Sequence, residues 1–157
     1  MKHIVLILIA ALSLGNQTAR AEPPLRLHIG SLERITDERQ GRSFLLVLWS
    51  LDCAPCRVEL KHIKEAINTN RAPDIVLIST DTPDRSDKIS AVLSGYGLSH
   101  LESWVFDDPI PERLRHEIDP QWYGELPRSY FYNKAHSRTS RSGTITLEKL
   151  ARMSEER

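Results

Sequence analysis

The chain has 157 residues, two cysteines, and 21 basic against 21 acidic residues, for a formal net charge of zero. No basic run or stripe disturbs that balance, so nothing in the charge pattern suggests a nucleic-acid partner, and none is expected. With 40% hydrophobic residues and no repeat or low-complexity stretch, the composition fits one ordinary globular domain that can bury a core without staples.

The N-terminal segment reads as a targeting signal rather than as part of the fold. Lys2 and His3 precede an uncharged apolar stretch from Ile4 to Leu14, and Ala19-Arg20-Ala21 has the small-x-small pattern of a signal-peptidase site. A signal peptide over 1–21 is therefore expected, followed by a single domain over 22–157. The apolar run is shorter than the ~18 residues that argue for a membrane span. An uncleaved membrane anchor is the alternative, and no cysteine lies near the cleavage point to carry a lipid. Removing residues 1–21 takes Lys2 and Arg20 and no acid, which leaves 19 basic and 21 acidic residues.

Leu25 to Ile29 alternates apolar and polar residues and suggests a short strand, whereas Gly30 to Arg42 is polar with a turn at Gln40-Gly41. Phe44-Leu45-Leu46-Val47-Leu48-Trp49 is a continuous apolar run, the pattern of a strand buried on both faces. From Cys56 onward, Leu60, Ile63 and Ile67 recur at helical spacing, with Lys61, Lys64 and Glu65 on the other side. Pro73 bounds that helix, and Ile75-Val76-Leu77-Ile78 reads as a second buried strand.

Asp81 to Asp84 is loop with helix-starting chemistry; Ile89, Val92 and Leu93 mark the next helix, which Gly95 and Gly97 close. Trp104-Val105-Phe106 suggests a short strand and Glu112 to Ile118 a short helix after Pro111. Pro120 to Glu125 is a loop, Ser129 to Tyr132 an apolar and aromatic strand, and Asn133-Lys134 a turn. A last strand is expected near Ser142 to Thr146 and a closing helix over Leu147 to Met153. From Phe44 the order is β-α-β-α-β-α-β-β-α, which implies an α/β sandwich with a mixed sheet.

The chemistry sits where the first buried strand ends. Cys53 and Cys56, spaced Cys-Ala-Pro-Cys, follow the apolar run directly and stand at the start of the helix. A helix N-terminus carries unsatisfied N–H groups and partial positive charge, so a thiol there ionises more readily, and the thiolate is the species that attacks disulfides. A bridge across so short a loop constrains the unfolded chain little, which argues against a purely structural disulfide. Half of a zinc site is the rival reading. It lacks partners, because His28, His62, His100, His116 and His136 show no paired ligand spacing.

Over most of residues 22–157 the chain resembles the thioredoxin-fold proteins of the TlpA/ResA type, exported bacterial thiol–disulfide oxidoreductases. The resemblance rests on Leu48-Trp49 through Leu60, with Trp49 four residues before Cys53, Pro55 between the cysteines and Glu59 three after Cys56. It rests also on Leu126-Pro127 ahead of the aromatic strand. It implies a thioredoxin-like three-layer sandwich, a central mixed β-sheet flanked by helices. Cys53 becomes the attacking nucleophile and Cys56 the resolving thiol. Glu59, on the dithiol side of the helix, would hold or pass a proton as Cys56 reacts. Pro127 would be cis and face the dithiol, exposing the backbone of Leu126 to an extended substrate. Trp49 is expected in the substrate-binding set with Leu126 and Pro127, a core residue beside the site and more packing than chemistry.

The family usually places tryptophan directly before the first cysteine, and here that residue is Asp52. A carboxylate beside Cys53 opposes a second negative charge. Arg128 is the expected electrostatic counterweight. The implied activity is reduction of disulfides in exported proteins such as apocytochrome c, in the periplasm, by a monomer. A membrane thiol carrier would supply electrons, and no cofactor or metal is needed beyond the Cys53–Cys56 pair. A disulfide-forming oxidant would share every catalytic residue, although its relatives usually carry a large helical insertion. A copper chaperone on the same fold typically spaces its cysteines by three residues.

Overall fold

The computed structural model describes residues 22–155, so the expected signal peptide over 1–21 lies outside the described residues. In chain order they form β1 (Leu25–Leu27), α1 (Ser31–Asp37), β2 (Phe44–Trp49), α2 (Ala54–Asn68) and β3 (Asp74–Ser79). A 3-10 turn (Pro83–Arg85) leads to α3 (Ser86–Gly95), β4 (Glu102–Phe106), α4 (Pro111–Ile118), β5 (Arg128–Tyr132), β6 (Arg138–Ser142) and α5 (Leu147–Glu155). The strands make one mixed sheet in the order β1-β4-β3-β2-β5-β6. β1, β4, β3 and β2 run parallel, whereas β5 is antiparallel to β2 and β6 to β5. Among the described residues no helix is long and apolar enough to cross a membrane.

Strand alternation divides the core into two layers. Leu45, Val47 and Trp49 of β2 face one way, packing with Ile75 and Leu77 of β3 against Leu60 and Ile63 of α2, Ile89 of α3 and Leu150 of α5. Phe44, Leu46 and Leu48 face the other way, with Tyr130 and Tyr132 of β5, against Ile35 of α1 and Leu114 and Ile118 of α4. All six residues of β2 are buried because the strand is central and covered on both faces. Truncating one of them, Leu46→Ala, costs roughly 2–5 kcal/mol on the usual scale of buried leucines. This strand fixes the floor from which Cys53 is presented.

Two segments depart from the sequence expectation. The polar stretch Gly30 to Arg42 contains a helix, α1, whose one fully buried residue is Ile35. A seven-residue helix with a single buried side chain leaves no apolar stripe to read. The last strand is Arg138–Ser142 rather than Ser142 to Thr146, and every residue in it is exposed. Its place is set by the hairpin turn, where Asn133 Oδ1 accepts from the backbone N–H of Ala135 and Ser137 at 3.0 Å each. Ile145, which suggested a strand, instead plugs the α2–α5 layer of the core from the loop before α5.

Candidate active site

Cys53 and Cys56 are joined as a disulfide at the N-terminus of α2. Cys53 is the N-cap: its backbone is extended, and its Sγ accepts from the backbone N–H of Cys56 at 3.1 Å. Pro55 stands in the first turn, where its missing N–H leaves no partner wanting. Cys53 is half-buried and Cys56 fully buried, so an approaching reagent meets Cys53 first. From the far side of the chain, Thr144 Oγ1 reaches the carbonyl of Pro55 at 3.5 Å.

Glu59 lies one turn beyond Cys56 and is 1% exposed. Ser129 of β5 donates its hydroxyl to Oε1 at 3.0 Å, and Oε2 is buried with no hydrogen-bond partner. Burial pushes this carboxyl up to about 7, against the opposing pull of the Ser129 hydrogen bond and the distant positive charge of Arg141. A carboxyl so placed exchanges its proton near neutral pH, and it stands on the same helix as the buried thiol sulfur.

The Leu126–Pro127 peptide bond is cis. Arg128 pairs with Leu48 in the antiparallel register, so Pro127 stands at the end of β2 from which the dithiol loop departs. Pro127 is buried and its carbonyl accepts from Gly143 N–H at 2.9 Å; Leu126 is half-buried and touches both core layers. Trp49 is 1% exposed at the end of β2. Its side chain packs in the α2 layer of the core.

The expected pairing of Arg128 with Asp52 does not form. Arg128 turns away to Asp119 at 2.9 Å, Ser142 Oγ at 2.7 Å and Glu125 at 3.2 Å, and lies over the ring of Tyr130 at 5.1 Å. The partner of Asp52 is Arg85, at 2.8 Å and 3.4 Å through its two terminal nitrogens. Arg85 holds the Asp52 carboxyl below its ordinary value by hydrogen bond and charge. β3 lies parallel beside β2, so the turn after β3 arrives next to the loop after β2.

Sequence reasoning missed Ser129, Asp81 and Arg85. Ser129 had a signal: a hydroxyl inside an aromatic strand, two residues after Pro127, needs a buried partner. Asp81 had a weaker one, a carboxylate two residues after the buried run of β3. Arg85 had none. Among the described residues no cluster of histidine, cysteine, aspartate or glutamate is arranged to hold a metal ion.

No family model matches the sequence, and no curated protein does. Solved structures match in shape. A secreted disulfide oxidoreductase of Mycobacterium tuberculosis, homologous to E. coli DsbE, aligns with a TM-score of 0.59 at 17% identity, over 76% of this chain and 84% of that one. A thioredoxin-related protein of Neisseria meningitidis serogroup B aligns at 0.57 and 20% identity, over 73% and 83% of the two chains. StoA of Bacillus subtilis aligns at 0.52 and 17%, over 73% and 83%. The fold is thioredoxin-like, the α/β sandwich that the resemblance implied.

Proposed function

We propose that this chain is a thiol–disulfide oxidoreductase that reduces disulfides in exported proteins. The observation that carries the reading is the Cys53–Cys56 disulfide at a helix N-terminus with a buried, near-neutral carboxyl one turn below it. In the reduced enzyme the Cys53 thiolate attacks one sulfur of the substrate disulfide. A mixed disulfide forms and the first substrate thiolate leaves. Glu59 in its ionised form takes the proton of Cys56. The Cys56 thiolate then attacks Cys53 Sγ, the second substrate thiolate leaves, and the enzyme departs oxidised, two electrons poorer. Cys53, Cys56 and Glu59 are the catalytic residues of this scheme, and Leu126 and Pro127 its substrate-facing backbone.

Export rests on the apolar segment Ile4 to Leu14 and the Ala19-Arg20-Ala21 site. In an oxidising periplasm the dithiol needs a steady donor, and a membrane thiol carrier fits that need. Apocytochrome c is the client class that the TlpA/ResA resemblance implies. The same residues also serve an oxidant, and the stability of the disulfide decides between the two directions. The test is a mixed-disulfide trap: Cys56→Ser protein, reduced and offered periplasmic proteins in their disulfide form, accumulates a covalent adduct through Cys53 as one substrate thiolate leaves. Absence of any dithiothreitol-sensitive adduct, with Cys53 alkylatable, would rule out the proposed activity.

A further inference from the structure

The loop that carries Asp52 and Cys53 is held from outside its own helix. Asp81, buried just beyond β3, accepts through Oδ2 from the backbone N–H of Leu51 at 2.8 Å and from the Ser79 hydroxyl at 2.7 Å. Its other oxygen takes Arg85 Nη1 at 2.6 Å. That same nitrogen reaches Asp52 Oδ2 at 2.8 Å. Arg57, on α2, donates to the carbonyl of Leu51 at 2.9 Å. Residues 51 and 52, immediately ahead of the nucleophile, are thus tied to one buried anion, and a single guanidinium is shared between that anion and Asp52.

We infer that Arg85 is a positioning residue for Cys53. It ties the Asp52 side chain to buried Asp81 and sets one positive charge against these two carboxylates, so the nucleophile sits on a loop fixed by that bridge. This rests on the thiol–disulfide reading above, and it adds a tertiary device that neither the motif nor its helix contains. The other charges around the motif do not replace Arg85. Arg57 and Lys88 also attract the Asp52 carboxylate, but each acts by charge alone and more weakly than Arg85, which adds a hydrogen bond; Arg57 hydrogen-bonds instead to the carbonyl of Leu51. Asp84, on the same turn as Arg85, adds a further negative charge, and Glu59 lies buried beneath Cys56 rather than at the rim. Without Arg85, Asp52 and Asp81 stand as two like charges near the thiol, and both disfavour its ionisation.

The test is the pH profile of Cys53 alkylation by iodoacetamide in the reduced protein, for wild type, Arg85→Gln, Arg85→Lys, Asp52→Asn and the Arg85→Gln/Asp52→Asn double variant. Arg85→Gln slows alkylation about two- to fivefold on the acid side of the profile, the range measured for exposed ion pairs. Arg85→Lys restores most of the rate. In the Asp52→Asn background the Arg85→Gln effect shrinks, because the ion pair that ties residue 52 to Asp81 is already gone. An unchanged Arg85→Gln profile, or an equal slowing in both backgrounds, overturns the inference. Should Arg85→Gln fail to fold, Arg85→Lys and Asp52→Asn decide: Cys53 reacts faster in Asp52→Asn because one carboxylate beside it is gone while Arg85 stays paired with Asp81, and an unaltered Asp52→Asn profile contradicts the proposal. Failure of the thiol–disulfide reading looks different, as a Cys53 that alkylates at every pH yet forms no mixed disulfide in the Cys56→Ser trap.

Discussion

Two carboxylates bracket the dithiol, and their surroundings are opposite. Asp52, on the rim before Cys53, is exposed, paired with Arg85 and held below its ordinary range. Glu59, on the floor behind Cys56, is buried, has one hydroxyl as partner and is pushed up to about 7. The residue types are nearly the same, and environment alone separates a carboxyl held below its ordinary range from one raised to about 7, as the proposed proton carrier requires. Position along the chain does not sort them, since each lies within three residues of a cysteine.

The largest effect expected from breaking this contrast comes from Glu59→Gln. The folded Glu59 binds its proton more tightly than the unfolded one. The stability that protonation lends is therefore complete below about pH 4.5 and is lost as pH rises through about 7. Removing the ionisation should stabilise the oxidised protein by roughly 3 kcal/mol at pH 8 and by little at pH 4. Urea unfolding across that pH range measures it. The same variant should slow the resolving step about a hundredfold, the scale of a lost general base. A Glu59→Gln protein whose advantage does not grow with pH would mean that the carboxyl stays ionised in the fold.

Ser129→Ala sharpens the contrast by a smaller amount. Its hydroxyl is the hydrogen bond that draws Glu59 down, so its loss should move the pH midpoint of the resolving step upward and cost about 1 kcal/mol of stability. Stopped-flow measurement of mixed-disulfide resolution between pH 5 and about 9, where unperturbed thiols already titrate, reads the shift. A midpoint that stays or falls would detach Ser129 from Glu59.

Asp52→Asn should do least to the fold. Its pKa is depressed, so whatever it contributes to stability is present above pH 3.8 and is lost as pH falls below. Because the pair with Arg85 is solvent-exposed, the unfolding midpoint at neutral pH should match wild type within measurement error, while Cys53 reactivity changes. A large loss of stability would make Asp52 part of the scaffold rather than of the rim.

Much of this arrangement is written in local pattern. The buried runs of β2 and β3, the amphipathic α2 and the Cys-Ala-Pro-Cys placement follow from periodicity and helix-end chemistry. Glu59 was within reach because three residues on a helix is one turn. What stayed hidden depends on distant segments meeting. Arg85 reaches Asp52 across 33 residues, and Ser129 reaches Glu59 across 70. The choice of Arg128 as counter-ion failed for the same reason: a closer set of partners, Asp119, Glu125 and Ser142, is supplied by the loop beside it and by β6. α1 and β6 were missed or shifted because one buries a single apolar residue and the other none.

The reduction potential of the Cys53–Cys56 couple, equilibrated against glutathione or dithiothreitol mixtures, tests the central proposal most directly. A reductase fed by a membrane carrier should give about −220 mV or lower, towards the thioredoxin range. A value near about −120 mV would mark a disulfide-forming oxidant and contradict it.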